Sequence, residues 1–353
     1  MKHDIHDLVG LESTVGRQPL AAMMKSIAEL DAHCSEILAY STAAVMVHLD
    51  REGVIHAEVI GGNAGFACPD GASHLAFETQ TARPEVGSAA ALLFLVPGWR
   101  ESLRVNGRID DTGLLVVETF VHCGKAMIRS ELWSSPDART DVPVGGTPIG
   151  GAVDGRHVVS ESAKIDDAQR AFLSTAPFAV IGSCDKDGRA DASPKGDPAG
   201  FLSVLDDRTV ALPDRPGNRR TDTFHNLLER PAVTVLALTP GDDRMLEIRG
   251  RARLTTDPAL LATMAVQNQV PKLALVVDVD HSSLRVSDAV QNAALWNPAT
   301  HVSEGTLPRA AKIWADHVKS SDRRGLAAQA VRTGATETAV RVGIAVDYRQ
   351  NLY

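Results

Sequence analysis

Three arginines crowd one short stretch of this chain. Arg215, Arg219 and Arg220 flank Pro216-Gly217 within LPDRPGNRRTDTFHN, residues 212–226, and the run leads into a helix start near Thr221-Asp222. A glycine-bearing turn offers backbone N–H groups, a helix N-terminus adds partial positive charge, and arginine adds bidentate donors, which together suit a phosphate. Lys195, in the run SPKGDP at 193–198, supplies one more charge. The same cluster also reads as a solvated basic loop in which Asp222 caps a helix. A second chemically loaded run is HCGKAMIRSELW, residues 122–133, with Lys125, Arg129 and Trp133. Tryptophan is most often a core or interface anchor. His122 next to Cys123 has no second Cys/His pair nearby, so no metal site is expected.

The elements that must position these residues are mostly strands. Residues 43–49, 91–96, 103–109, 114–121 and 178–184 are short aliphatic runs bounded by turn signals such as Asp50–Gly53, Pro97-Gly98 and Asp185–Gly188. Leu20, Met23, Met24, Ile27, Leu30 and Ile37 recur at helical spacing and predict a helix over 17–40; another is expected over 166–173. Between Ser134 and Ile165 prolines and glycines dissolve the pattern, which reads as a linker. The run AVRVGIAV at 339–346 alternates in part and predicts a helix-then-strand extension that pairs with a sheet edge. No regular βαβ alternation or GxGxxG appears, which disfavours a dinucleotide-binding fold of the doubly wound type.

The turns expose an internal repeat. Asp50, Gly53 and Gly65-Phe66 recur 135 residues later as Asp185, Gly188 and Gly200-Phe201. Pro97-Gly98, Leu103 and Gly107-Arg108 recur at offset 143 as Pro240-Gly241, Leu246 and Gly250-Arg251, and Leu132-Trp133 recurs at offset 163 as Leu295-Trp296. Collinear order implies two copies of one unit. The copies differ where the chemistry lies. Lys195 corresponds to Ile60 and the arginine segment is shortened in the first half, whereas Lys125 and Arg129 correspond to Asp288 and Asn292 in the second. Each half keeps what the other lost, as expected for one composite site between them.

Composition narrows the function classes. With 353 residues the chain has room for two domains, and its net charge of −8 argues against nucleic-acid binding. Aromatic residues are only 4%, so the cores must be aliphatic. No apolar run is long enough to cross a membrane. Four scattered cysteines, Cys34, Cys68, Cys123 and Cys184, and no apolar segment after Met1-Lys2-His3-Asp4 predict a cytoplasmic protein without a signal peptide.

At SPKGDPAGF (193–201), PDRPGNRRTDTFHNLL (213–228), LRVNGRI (103–109) and HCGKAMIRSELW (122–133), the sequence resembles the pyridoxamine 5′-phosphate oxidase-like FMN-binding split-barrel family. The resemblance covers about 25–133 and 165–318. It implies a mainly β fold, with two split β-barrel domains and flanking helices forming an intrachain pseudo-dimer. The expected organisation is an N-terminal barrel over 17–133, a linker over 134–164, a C-terminal barrel over 165–318 and an extension over 319–353. Lys195, Arg215, Asn218, Arg219, Arg220 and Thr223 would hold the FMN phosphate side. Ser193 and Asp197 would meet the flavin edge. Lys125, Arg129 and Trp133 would approach the isoalloxazine or the substrate, where Lys125 or Arg129 would stabilise negative charge on reduced flavin. The implied activity is an FMN-dependent oxidoreductase with a small planar or aromatic substrate and NAD(P)H as a candidate electron donor. The alternative is a non-catalytic flavin- or haem-binding carrier or sensor, with His122 and His225 as the candidate histidines. The internal pairing leaves either a monomer or a homodimer.

Overall fold

The computed structural model describes residues 3–79, 83–134, 157–217 and 220–353. The chain opens with β1 (Asp4–Ile5), α1 (Leu8–Val15), α2 (Leu20–Met23) and α3 (Ala32–Tyr40). A first sheet follows: β2 (Ala43–Leu49), β3 (Ile55–Gly61), β4 (Ala67–Pro69), β5 (His74–Phe77), β6 (Ala89–Leu95), β7 (Ser102–Ile109) and β8 (Gly113–His122), closed by α4 (Lys125–Arg129). The second half runs β9 (His157–Ser162), α5 (Asp167–Thr175), β10 (Phe178–Cys184), β11 (Ala190–Gly196), β12 (Ser203–Asp206), β13 (Thr209–Pro213) and α6 (Asp222–Glu229). It continues through β14 (Ala232–Leu238), β15 (Arg244–Thr255), α7 (Pro258–Thr263), β16 (Ala274–Val286) and α8 (Asp288–Asn292). Three helices end the chain: α9 (Ala310–Ser320), α10 (Leu326–Gly334) and α11 (Glu337–Gln350).

Both sheets are antiparallel split barrels with one strand order. The first runs β3-β2-β6-β7-β8-β5-β4 and the second β11-β10-β14-β15-β16-β13-β12, position for position; β1 and β9 add to the second on β15 and β16. The repeated turns share their backbone. Gly53 and Gly188 sit at φ 76° and 75°, and the non-glycine pair Glu131 and Ala294, one residue before each Leu-Trp, at φ 49° and 47°.

The two sheets pack face to face, and strand alternation explains how. Ala43, Val45, Val47 and Leu49 of β2 join Phe178, Val180 and Cys184 of β10 in one core shared by both halves. The alternate residues Ala44 and Met46 enter the first barrel's own core, and Ala179 and Ile181 enter the second's. Strands buried on both faces read as continuous aliphatic runs, which is why β2 and β10 stand out in the sequence. Gly182 of β10 packs directly on β2; a Cβ there would stand 2.7 Å from Val47 Cγ1. The arrangement is an intrachain pseudo-dimer.

Three expectations need correction. The helix over 17–40 is two helices, because Ile27 leaves the helical path to pair with Thr119 of β8 and Asp31 then caps α3 through the Cys34 N–H. Within the expected linker 134–164, residues 157–162 form β9, paired with β16; residues 135–156 lie outside the described residues. The expected strand over 339–346 is helical. Thr336 caps α11, Val340 and Ile344 pack at i, i+4 spacing against the first barrel, and Val342 and Val346 are exposed. Apolar residues at every second position were compatible with either period.

Candidate active site

The halves meet around a cavity of about 860 Å³, within the usual size for a small-ligand or cofactor site. Strand alternation sets one wall. In β11, Ala190 and Ala192 point into the shared core, so Asp191, Ser193 and Lys195 face the cavity together. The chain then supplies Asp197, the loop 214–217 and the first turn of α6. Thr221 makes no side-chain cap there, so the α6 N-terminus opens into the cavity at Thr221, Asp222, Thr223 and Phe224.

The opposite wall belongs to the first half. Lys125 and Arg129, at i, i+4 on α4, line the cavity, while Ala126 and Met127 between them enter the shared core. α4 rests on β11 so closely that a Cβ on Gly196 would lie 2.0 Å from the Ala126 carbonyl oxygen. The structure thus brings Lys125, Arg129, Ser193, Lys195, Asp197, Arg215, Arg220 and Thr223 into one cavity from opposite halves. Asn218 and Arg219 lie outside the described residues. Trp133 does not line the cavity. After the left-handed turn at Glu131 it packs beside Trp296, ring centroids 6.2 Å apart, and its Nε1 donates to the Trp99 carbonyl at 2.6 Å. Trp296 repeats this contact in the other half, donating to the Asp242 carbonyl.

Among the described residues, the cations expected to meet a phosphate are engaged with carboxylates. Lys195 Nζ lies 3.2 Å from Asp214 Oδ1, and Arg215 holds Asp197 Oδ2 at 2.7 Å and the Met264 carbonyl at 2.6 Å. Arg220 reaches across to Glu118 of β8, to Asp222 and to Ser26 Oγ. Beneath it, Arg104 of β7, 2% exposed, pairs with Asp191 of β11, with Glu118 at 3.1 Å and with Asp222 at 3.5 Å, while Thr223 Oγ1 donates to Asp191 at 2.9 Å. Burial alone would depress the Arg104 guanidinium; Asp191, Glu118 and Asp222 hold it above its ordinary value. Burial raises the Asp191 carboxyl despite Arg104 beside it. The network ties the two halves together along the cavity wall.

Lys125 and Arg129 are held by a segment that motif reasoning did not place here. Lys125 Nζ meets Asp347 Oδ2 at 2.7 Å and the Asn351 carbonyl at 2.9 Å. Arg129 donates to the carbonyls of Gly196 (2.9 Å), Pro216 (3.2 Å) and Leu352 (2.6 Å). Tyr348 Oη accepts the Gly124 N–H at 2.8 Å, and the Tyr353 ring lies 5.9 Å from the Arg215 guanidinium carbon. α11 and residues 351–353 therefore form a third wall. Lys25, from the α2–α3 connection, and Trp314 of α9 also line the cavity and were missed.

Three buried polar atoms of cavity-lining residues make no hydrogen bond among the described residues: Arg104 Nε, Asp197 Oδ1 and His122 Nε2. Burial raises the Asp197 carboxyl against the pull of Arg215. Burial, with Arg104, Arg220 and Lys195 adding, pushes the His122 imidazole well below its ordinary value, so it stays neutral. His225 does not line the cavity.

Residues 165–292 match the family model of pyridoxamine 5′-phosphate oxidase. The match spans about a third of the chain. The matched segment holds β11, the 213–217 loop and the first turn of α6, which line the cavity. No curated protein matches the chain. Among solved structures, HupZ of Group A Streptococcus is 16% identical, with 33% of this chain and 89% of that one covered and a TM-score of 0.28. General Stress Protein 26 of Bacillus anthracis is 12% identical (33% and 89% covered, TM-score 0.27). A pyridoxamine 5′-phosphate oxidase-related, FMN binding protein of Nostoc punctiforme is 14% identical (31% and 76% covered, TM-score 0.23). Among the described residues, no helix is long and apolar enough to cross a membrane.

Proposed function

We propose that this protein binds one FMN in the composite cavity and acts as an FMN-dependent oxidoreductase on a small planar or aromatic substrate. One observation carries the reading: a single cavity of about 860 Å³ joins the β11–α6 wall of the matched segment to the Lys125/Arg129 wall of the other half. The residues fit the cofactor. Cationic side chains outnumber carboxylates in the lining, the α6 N-terminus opens into it, and the orphaned Asp197 Oδ1 is a buried acceptor suited to a ring N–H. Lys195, Arg215, Thr223 and the first turn of α6 would hold the phosphate side, with Ser193 and Asp197 at the flavin edge. A bound flavin would supply the hydride and electron transfer.

The chain's own residues do the rest. Lys125 and Arg129 set positive charge on the wall facing the phosphate side, which favours charge building on an electron-rich ring. The Arg104 network keeps the two walls in register, and α11 with residues 351–353 covers the site from solvent. We also infer that the halves arose by tandem duplication, since their sheets share one strand order and their repeated turns one backbone.

The test is spectroscopic. Protein purified with its native ligand should show the two-banded visible absorbance of an oxidised flavin. A Soret band would instead favour the haem alternative, with His122 as the candidate ligand. Lys195→Met removes one charge-assisted hydrogen bond, worth about 1.5–3 kcal/mol, so FMN affinity should fall roughly 10- to 150-fold. Unchanged affinity in that variant, or no flavin binding by the wild type, overturns the assignment.

A further inference from the structure

Lys25, half-buried on the cavity wall, belongs to none of the sequence motifs. Lys25 is fixed at its backbone: its carbonyl lies 3.2 Å from His317 Nδ1, and two residues on, Ile27 pairs with Thr119. Its Nζ sits 3.7 Å from the centre of the Trp314 ring, and Trp314, 3% exposed, is locked by its own Nε1 bond to the Val121 carbonyl at 2.9 Å. Among the described residues, no carboxylate lies within ion-pair distance of Lys25. Asp347 of α11 and Cys123 at the end of β8 act on it from farther away, and Asp347 is bound to Lys125. Arg129, also on the cavity wall, donates to carbonyl oxygens. A cation withdrawn from water without a counter-charge is costly, and proteins keep such a group where a ligand completes the pair.

We propose that Lys25, seated on Trp314, is the counter-charge for an oxyanion, a carboxylate or a phosphate, carried by the substrate that shares this cavity. The inference deepens the proposed function, because it names a chemical feature of the substrate and rests on the cavity being the ligand site. Three features of the site point the same way. The residue lines the cavity, its neighbouring carboxylate is spent on another lysine, and its ammonium rests on a fixed indole face. Burial pushes the amine down to about 8, and a bound oxyanion would push it back up.

The test needs no turnover. Wild-type protein is pulse-labelled with acetic anhydride across the neutral to alkaline range, and acetylation of Lys25 is followed by peptide mass spectrometry. Lys25→Met, which keeps an apolar stem against Trp314, serves as the blank. Without ligand the labelling midpoint should fall near pH 8. Saturating sodium benzoate or inorganic phosphate should raise it by about one unit or more. A shift with benzoate alone assigns a carboxylate, and a shift with phosphate alone assigns a phosphate. A midpoint that neither anion moves overturns the proposal. So does a shift produced equally by FMN, which would make Lys25 part of the cofactor's phosphate site. Failure of the wild type to bind FMN would sink the flavin reading and leave an anion-dependent shift standing. Unchanged FMN affinity in Lys25→Met separates the two claims from the other side.

Discussion

Replacing Arg104 by methionine removes the cation that serves both halves at once. The side chain is 2% exposed and its partner Asp191 5%, and they come from β7 of one half and β11 of the other. Deleting one partner of a buried ion pair costs about 3–5 kcal/mol, because the remaining charge is stranded. Glu118 and Asp222 keep Arg220 and are partly exposed, so the lower end, about 3 kcal/mol, is expected for Arg104→Met. The pH dependence follows from the signs. Burial already raises the Asp191 carboxyl, and losing Arg104 raises it further. A carboxyl whose folded value lies above its unfolded one destabilises the fold at neutral pH, and the penalty fades as pH falls through the folded value. Glu118 and Asp222 act alike on the comparison. Burial raises both, but Arg104 and Arg220 prevail and hold them low in the wild type, so their stabilisation is present above the unfolded value and is lost in acid. The deficit of Arg104→Met should therefore be largest near neutral pH and shrink on acidification, and adding Asp191→Asn should recover much of it. Urea unfolding followed by tryptophan fluorescence at several pH values measures all three proteins. A loss below about 1 kcal/mol, or a deficit that grows in acid, refutes the claim that this network joins the halves.

Two further predictions probe the interface. Gly196→Val places a Cβ against the Ala126 backbone carbonyl, which cannot move aside without lifting α4. The variant should lose about 3 kcal/mol or more and retain no flavin, whereas Gly343→Ala, where a Cβ meets nothing, should gain about 0.5–1 kcal/mol in the same unfolding assay. A double-mutant cycle on Trp133→Ala and Trp296→Ala should show a coupling of about 0.5–1.5 kcal/mol, and strict additivity would mean that the ring contact contributes nothing.

Much of the fold was legible because both faces of the central strands are buried. The runs 43–49 and 178–184 match β2 and β10 end to end, since an aliphatic run between two turns has few other uses. Turn residues carried the repeat, because a left-handed backbone position restricts residue choice even where cores drift. What failed was decided at long range. Ile27 breaks its helix to pair with a strand far along the chain. Val340 to Val346 alternate in apolar character, yet only the i, i+4 pair meets the core. At the site, the cations were readable as clusters, but Glu118 of β8 and Asp191 of β11, which Arg104 draws together, lie outside those clusters and gave no local signal. Trp133 looked like a ring-facing residue because it closes the Lys-Arg run, whereas the turn at Glu131 sends it to Trp296. Lys25 and the α11 wall belong to no motif, so only the folded chain shows them beside Lys125 and Arg129.

The proposed arrangement has one composite flavin site per chain. Titrating ligand-stripped protein with FMN, by quenching of flavin fluorescence and by calorimetry, counts it directly. Saturation at one FMN per chain is expected. Two equivalents would mean that the pseudo-symmetric position also binds, and none would remove the flavin from the cavity altogether.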